Sequence, residues 1–134
     1  MPGSFLDSNV LLYFASADPA KSGRAEALMD AGGTINVLVL NEMASVMRRK
    51  FAYSWDQAAR VLDIVRRAFR VEPLLLPTHE RGLRVAERYM LGVHDAMIVA
   101  AALDAGCETL WSEDMHEGLV VEATLTIRNP FRQA

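Results

Sequence analysis

Four acidic residues stand where they could form one carboxylate cluster: Asp7, Glu42, Asp95 and Asp114. Four carboxylates brought together repel one another, because a nearby like charge raises the pKa of a carboxyl group. Mg²⁺ or Mn²⁺ would relieve this repulsion, since both ions prefer carboxylate and water oxygens. Two such ions about 4 Å apart can stabilise the attacking and the leaving oxygen at a phosphorus centre. The residue types therefore favour metal-dependent chemistry on a phosphate ester.

Each of these acids also has a purely structural interpretation. Asp95 and Glu42 are predicted in first helical turns, where the helix dipole favours a negative charge. Asp7 could cap a turn, and Asp114 could be an ordinary loop acid. Only the convergence of all four on one edge of a sheet would distinguish a functional site from these alternatives.

The elements that would position the acids follow from the pattern of apolar residues. Short apolar runs predict strands, and amphipathic or apolar stretches of helical length predict helices. The predicted strands cover residues 5–6, 34–40, 71–76, 109–112 and 125–127. The predicted helices begin near residue 10 and cover residues 21–31, 42–51, 55–69, 78–90 and 94–105. Asn41 and Ser54 are expected to cap two of these helices, because their side chains can accept free backbone N–H groups.

This alternation predicts an α/β fold of three layers, with a largely parallel sheet of four to five strands between helices. Leu83, Ala86 and Met90 are expected on the buried face of the helix over residues 78–90. Ligands of open parallel sheets bind outside the carboxyl ends of the strands. Asp7, Glu42 and Asp114 each follow a predicted strand, and Asp95 opens a helix, so all four map to that edge.

Length and composition predict one cytoplasmic domain over residues 1–134. The chain is 51% hydrophobic and has a single cysteine, Cys107, which favours a reducing compartment and a core role for this thiol. The longest apolar run is too short to span a membrane. The net charge of −3 does not exclude a polyanionic partner, because the clustered acids contribute much of it. The three histidines lack metal-ligand spacing.

The arginines leave two interpretations open. Two clusters close predicted helices, where cations are favoured by the helix dipole: residues 48–50 and residues 66–70. Arg81, Arg84 and Arg88 form a stripe along another helix, which is either a solvated face or a contact for an RNA backbone.

The segments around the acids resemble the PIN-domain family, and within it the VapC-type toxins of toxin–antitoxin pairs. The resemblance is carried by Phe5-Leu6-Asp7-Ser8-Asn9-Val10-Leu11-Leu12-Tyr13, Leu40-Asn41-Glu42, His94-Asp95-Ala96-Met97-Ile98-Val99-Ala100-Ala101-Ala102, Ser112-Glu113-Asp114 and Ile127-Arg128-Asn129-Pro130-Phe131. It covers nearly the whole chain in order. Ser8 stands where threonine is frequent, and His94 where an aromatic residue is common.

The resemblance implies an endoribonuclease in which Asp7, Glu42, Asp95 and Asp114 hold Mg²⁺ or Mn²⁺. A metal-activated water would attack an RNA phosphodiester in line, leaving a 5′-phosphate and a 3′-hydroxyl. Asn9 and Ser112 would orient the acids or waters, although both could simply cap turns. Glu113 competes with Asp114 as the fourth acid, and the motif favours Asp114. The family also implies a homodimer and a VapB-like antitoxin as partner.

Three other functions fit parts of the pattern. A receiver-like signalling domain would need a lysine near the end of the chain, whereas the lysines here are Lys21 and Lys50. A PIN nuclease of RNA processing, outside a toxin–antitoxin system, would carry the same acids. A catalytically silent PIN module that binds RNA or a partner would not need all four.

Overall fold

The computed structural model describes residues 3–15 and 18–132, so residues 1–2, 16–17 and 133–134 of the predicted domain lie outside the described residues. The strands are β1 (Ser4–Leu6), β2 (Thr34–Asn36), β3 (Arg70–Glu72), β4 (Thr109–Trp111), β5 (Val120–Val121) and β6 (Leu125–Arg128). The helices are α1 (Ser8–Leu11), α2 (Pro19–Ala31), α3 (Val37–Arg49), α4 (Trp55–Ala68), α5 (Leu76–Tyr89) and α6 (Val93–Asp104). A short 3-10 helix, Leu12–Ala15, extends α1.

The described strands form one sheet in the order β3-β2-β1-β4-β6-β5. All neighbours are parallel except β5 and β6, which pair antiparallel. The strands proceed outward from β1 through β2 to β3, and the chain then returns to β4 on the other side of β1. Because such crossovers are right-handed, this reversal places the later helices on the opposite face of the sheet. The contacts agree: α1, α2, α3 and α4 form one layer, and α5 packs on α6 in the other.

The reversal of strand order lies between β1 and β4. In open α/β sheets the ligand crevice forms at such a switch point, outside the carboxyl ends of the strands. The core that holds this edge in place is continuous through the sheet, with Phe5, Leu110 and Ile127 in register and fully buried. Helix α6 lies against it and is buried at every residue from Ala96 to Leu103. The three-layer α/β prediction is confirmed.

One local prediction, a capping role for Ser54, is also confirmed. Ser54 caps α4, and its side chain and that of Gln57 form a reciprocal capping box. Gly106 follows α6 with φ of 73°, the left-handed conformation that glycine adopts freely. The two-residue strand β5 was not predicted from the sequence. No helix in the described part of the chain is long and apolar enough to cross a membrane.

The predicted strand over residues 34–40 is wrong beyond Asn36. The Asn36 side chain accepts the backbone N–H of Leu38 at 2.7 Å, so α3 begins at Val37. Asn41 is therefore an exposed residue inside α3 and not a cap, and Glu42 lies in the second turn. The prediction failed because a short apolar run rich in β-branched residues does not distinguish a strand from the start of a helix.

The predicted strand over residues 71–76 is too long for a similar reason. Strand β3 ends at Glu72, and Pro77 occupies the first turn of α5, where its missing N–H leaves no helical hydrogen bond unmade.

The buried face of α5 also differs from the prediction. Leu83 and Met90 are 46% and 88% exposed, whereas Thr78, Gly82 and Val85 are buried. A Cβ atom at Gly82 would clash with Sδ of Met97, so α5 approaches α6 through its glycine. The close approach at Gly82, rather than the larger side chains, sets the rotation of α5.

Candidate active site

Asp7 lies at the carboxyl end of β1, where the chain turns into α1. Its Oδ1 atom caps α1 by accepting the backbone N–H of Ser8 at 2.8 Å. Its own N–H donates to the carbonyl of Trp111 at 2.9 Å, which fixes it against β4 at the switch point. The residue is only 4% exposed. A charged side chain is thus held at the point where the topology opens a ligand crevice.

Asn9 and Ser112 connect Asp7 to Asp114. The Ser112 hydroxyl donates to Oδ2 of Asp7 at 3.0 Å. Nδ2 of Asn9 lies 3.3 Å from Oγ of Ser112 and 3.2 Å from Oδ2 of Asp114, and donates to both. Oδ1 of Asn9 accepts the backbone N–H of Glu113 at 3.1 Å, which fixes the orientation of the amide. These contacts are those required of residues that orient the acids.

Asp95 and Glu42 approach the same region from two helices in different layers. Asp95 is partly buried in the first turn of α6, and Glu42 is partly buried in α3. Burial raises the pKa of Asp95 most, the neighbouring His94 lowers it, and repulsion from Asp114 and Glu42 raises it further. Asp95 is therefore close enough to both other acids to interact with them.

The carboxyl group of Asp7 is subject to opposing effects. Burial raises the pKa of Asp7 above its usual value, while the hydrogen bonds from Ser112 and the Ser8 N–H lower it. Repulsion from Asp95 adds to the increase. Burial prevails, so the folded protein binds a proton at Asp7 more readily than the unfolded chain does.

All four acids predicted from the sequence thus interact at one edge of the sheet, through hydrogen bonds or through repulsion. As the side chains stand, however, no group of three or more His, Cys, Asp or Glu residues in ranges 3–15 and 18–132 is placed to hold a metal ion.

Glu113 is directed into a different set of contacts. Its carboxylate accepts from the Tyr13 hydroxyl at 2.8 Å and from the Lys21 ammonium at 2.6 Å. The pKa values of Tyr13 and Lys21 are both raised, chiefly by their hydrogen bonds to Glu113. Asp114, not Glu113, contacts Asn9 through its side chain. The Lys21 and Tyr13 contacts had no signal in the sequence.

A cleft of about 310 Å³ opens beside Asn9 and Asp114. Its walls include Leu12 and Tyr13 of the 3-10 helix and Val46 near the end of α3, and Lys50 also lines it. A cleft of about 420 Å³ lies elsewhere, between β3, α5 and α6, and none of the four acids lines it. The smaller cleft is the one that adjoins the acids.

The remaining candidates have structural contacts. Cys107 is buried, and burial raises the pKa of its thiol, so it is not an activated nucleophile. Arg48 donates to the Tyr53 carbonyl and stacks on Trp55. Arg81 forms ion pairs with Asp104, the last residue of α6, and with Glu122, which follows β5, and it therefore does not belong to a free cationic stripe.

The family model of the PIN domain matches residues 4–116 of the chain. The chain belongs to the PIN-domain family. This range includes all four acids together with Asn9 and Ser112. No match was found among curated protein sequences.

Solved structures of similar fold include toxin–antitoxin complexes and a VapC toxin. A toxin–antitoxin complex from Klebsiella pneumoniae has a TM-score of 0.72 at 18% identity, covering 95% of this chain and 97% of that chain. VapC20 of Mycobacterium tuberculosis, a sarcin-ricin loop cleaving toxin, has a TM-score of 0.68 at 20% identity, with 83% and 89% covered. DNA-bound VapBC from Salmonella typhimurium has a TM-score of 0.71 at 15% identity, with 97% and 99% covered. At these identities the likeness establishes the shared fold.

Proposed function

We propose that this PIN protein is a metal-dependent endoribonuclease and the toxin of a VapBC-type pair, folded as one domain over residues 1–134. The observation that carries the proposal is the hydrogen-bonded chain from Asp7 through Ser112 and Asn9 to Asp114 at the switch point. Asp95 is electrostatically coupled to this chain and to Glu42. A capping or loop role for each acid alone would not bring four of them together.

The donor set suits a hard divalent cation, Mg²⁺ or Mn²⁺. It consists of carboxylates that repel one another, and burial raises the pKa of two of them, Asp7 and Asp95. The set has no cysteine and no paired histidine ligands, which would favour zinc. Asp7, Glu42, Asp95 and Asp114 would hold the ion, directly or through water. Asp114 is exposed and Glu42 is only partly buried, so both side chains have room to turn toward an ion at Asp7. When bound, the ion would supply a Lewis acid for phosphodiester hydrolysis.

The chain's own residues would then have separate tasks. Asp7 accepts hydrogen bonds from the Ser8 N–H, the Ser112 hydroxyl and the Asn9 amide, and would set the position of the site. Asn9 would orient Asp114 toward Asp7, because one amide contacts both sides of the cluster. Water would add to phosphorus as the P–O3′ bond breaks, which gives a 5′-phosphate and a 3′-hydroxyl.

The proposed partners follow from the proteins that share this fold. The complexes from Klebsiella and Salmonella contain an antitoxin, and VapC20 is described as cleaving the sarcin-ricin loop. By analogy, this chain would act on RNA in the cytoplasm, form a homodimer and be neutralised by a VapB-like antitoxin. The alternatives are a PIN nuclease of RNA processing and a silent binding module. An antitoxin gene immediately upstream would favour the toxin.

The test is incubation of the purified protein with total cellular RNA in Mg²⁺, in Mn²⁺ and in EDTA, followed by mapping of the ends. Cleavage with either metal and none in EDTA is expected, with 5′-phosphate ends. Asp95→Asn should abolish it in a protein that keeps its circular dichroism spectrum. Wild-type cleavage that persists in EDTA would contradict metal dependence. The absence of any cleavage would favour a catalytically silent binding module.

A further inference from the structure

A third cleft, of about 220 Å³, lies beside the carboxyl ends of β4 and β6. Three arginines surround it: Arg24 from α2, Arg128 at the end of β6, and Arg132 beyond β6. Trp111, the last residue of β4, forms one wall. We call these four residues the arginine cleft.

The charge of the arginine cleft is not balanced by the protein. All three arginines are exposed, and none of them forms an ion pair within the described residues. Glu117 also lines the cleft, but its carboxylate accepts the backbone N–H of Asn129. Three guanidinium groups around one cleft, with one engaged carboxylate, make a site for an anion.

Arg24 is held in place before any ligand binds. Its Nε donates to the carbonyl of Pro130 at 3.1 Å, and its guanidinium lies 5.5 Å from the centroid of the Trp111 ring. Nε is the only Arg24 nitrogen that these hydrogen bonds use, so the two terminal amino groups remain for a ligand. A guanidinium fixed in this way loses less conformational freedom on binding, and its fork suits phosphate oxygens.

The strand residues of the arginine cleft lie one and two strands from β1, the strand that Asp7 follows, at the carboxyl edge of the sheet. Trp111 and Arg128 are paired in register on neighbouring strands, and the Ser112 N–H donates to the Arg128 carbonyl at 2.9 Å. The Ser112 hydroxyl in turn contacts Asp7. Since neighbouring strands are about 4.8 Å apart, the Arg128 backbone lies roughly 10 Å, two strand spacings, from that of Asp7. One strand of nucleic acid could therefore contact both.

We propose that the arginine cleft binds backbone phosphates of the RNA on one side of the bond that is cut. The inference rests on the proposed ribonuclease function and adds where its substrate lies. RNA is favoured over an acidic protein segment because Trp111, the aromatic wall of the cleft, already has the Arg24 guanidinium over its ring and is not free to anchor an apolar side chain on that face. The arginines instead offer hydrogen-bond forks and charge, which a phosphate backbone requires.

The test measures RNA binding separately from cleavage. A fluorescent single-stranded RNA is titrated with the full chain carrying Asp7→Asn, in EDTA, and the affinity is followed by anisotropy as the salt concentration rises. Each phosphate contact contributes about 0.7 to the slope of log K against log salt for a single strand. When Arg128→Ala and Arg132→Ala are added to this protein, two contacts are lost and the magnitude of the slope should fall by about 1.4. Arg128→Lys with Arg132→Lys should largely restore it.

Arg84→Ala with Arg88→Ala is the matched control, since these exposed arginines lie on α5 in the opposite layer. An unchanged slope in the cleft variant, or an equal loss in the control, would overturn the proposal. So would binding of poly-glutamate, but not of RNA, through the same arginines. Cleft-dependent RNA binding by a protein that does not cut RNA would support the cleft and refute the nuclease. If the wild type cuts RNA and the cleft variant has the same KM, the nuclease is supported and the arginine cleft is refuted as an RNA site.

Discussion

Replacement of Asp7 by asparagine changes the charge at the centre of the site and leaves most hydrogen bonds possible. The asparagine Oδ1 can still accept the Ser8 N–H, which Asp7 accepts at 2.8 Å. The Ser112 hydroxyl can rotate to accept from the new amide. Hydrogen bonds to a charged group contribute about 1.5–3 kcal/mol and neutral ones about 0.5–1.5 kcal/mol, so the exchange itself costs roughly 1 kcal/mol.

The raised pKa of Asp7 determines whether Asp7→Asn raises or lowers the stability of the metal-free protein. Burial outweighs the hydrogen bonds, so the folded protein binds the proton more tightly than the unfolded chain, whose pKa is near 3.8. The stability provided by the protonated form is fully present below that value, and it is lost as pH rises through the folded pKa. Metal-free Asp7→Asn should therefore melt higher than the wild type at neutral pH, and the difference should vanish in acid.

Divalent metal should reverse this order. An ion that binds only the folded state contributes about 2.7 kcal/mol at a concentration 100 times its Kd. For 134 residues the entropy of unfolding is about 0.28 kcal/mol/K, so the wild type should gain about 10 °C. Asp7→Asn should gain much less, and the wild-type gain should shrink toward about pH 4 as protons compete for the carboxylates.

Melting curves by circular dichroism, in EDTA and in millimolar Mn²⁺ across this pH range, measure all three effects. A wild-type melting temperature that Mn²⁺ does not change at neutral pH would refute a metal site at the four acids. An equal metal gain in both proteins would remove Asp7 from that site.

Three further predictions test the remaining assignments. Glu113→Gln should keep ribonuclease activity and lower the free energy of unfolding by less than about 1 kcal/mol, because the ion pair with Lys21 is partly exposed. Asp114→Asn should lower the cleavage rate at least tenfold, which corresponds to about 1.4 kcal/mol in the activation barrier. The reverse result would mean that Glu113, and not Asp114, is the fourth acid of the site. Gly82→Ala should lower the melting temperature in a thermal scan, because the new Cβ atom would clash with the buried Met97 side chain. Overpacking of a core costs about 1–3 kcal/mol, against roughly 1 kcal/mol gained in helix propensity. Unchanged or higher stability would show that the Met97 side chain moves aside. Expression of the chain alone should arrest bacterial growth and co-expression of its antitoxin should restore it, whereas normal growth with soluble wild-type protein would count against a toxin.

The positions of the acids were predictable because their local signals are strong. Asp7 and Asp114 follow short strands, and Asp95 follows Gly92, a natural start for a helix. Glu42 was placed in the right region from the wrong element, since the cap is Asn36 and not Asn41. That error concerns one hydrogen bond, from the Leu38 N–H to the Asn36 side chain. A sequence pattern cannot tell whether this cap outweighs the strand preference of the residues after Asn36.

The contacts that complete the site were outside the reach of local patterns. Asn9 and Asp114 are 105 positions apart, and Lys21 and Glu113 are 92 apart. Their meeting depends on β1 and β4 becoming neighbours in the sheet. The sequence named Asn9 and Ser112 as orienting residues only through a family resemblance. It gave no indication that Arg24, Arg128 and Arg132 would surround one cleft, because they lie on three different segments.

The hydrogen bonds around Asp7 indicate what the site is organised to accept. Its side-chain partners, the Ser8 N–H, the Ser112 hydroxyl and the Asn9 amide, all donate to the carboxylate. Donors favour the ionised form, whereas a carboxylic acid kept for its proton would be paired with an acceptor. Burial and Asp95 alone oppose ionisation, and the charge of a bound cation would offset both effects. The hydrogen bonds therefore suit an ionised Asp7 that is neutralised by a cation, and not one neutralised by a proton. Because a metal ligand must be deprotonated, such a site binds a divalent ion better near neutral pH than in acid.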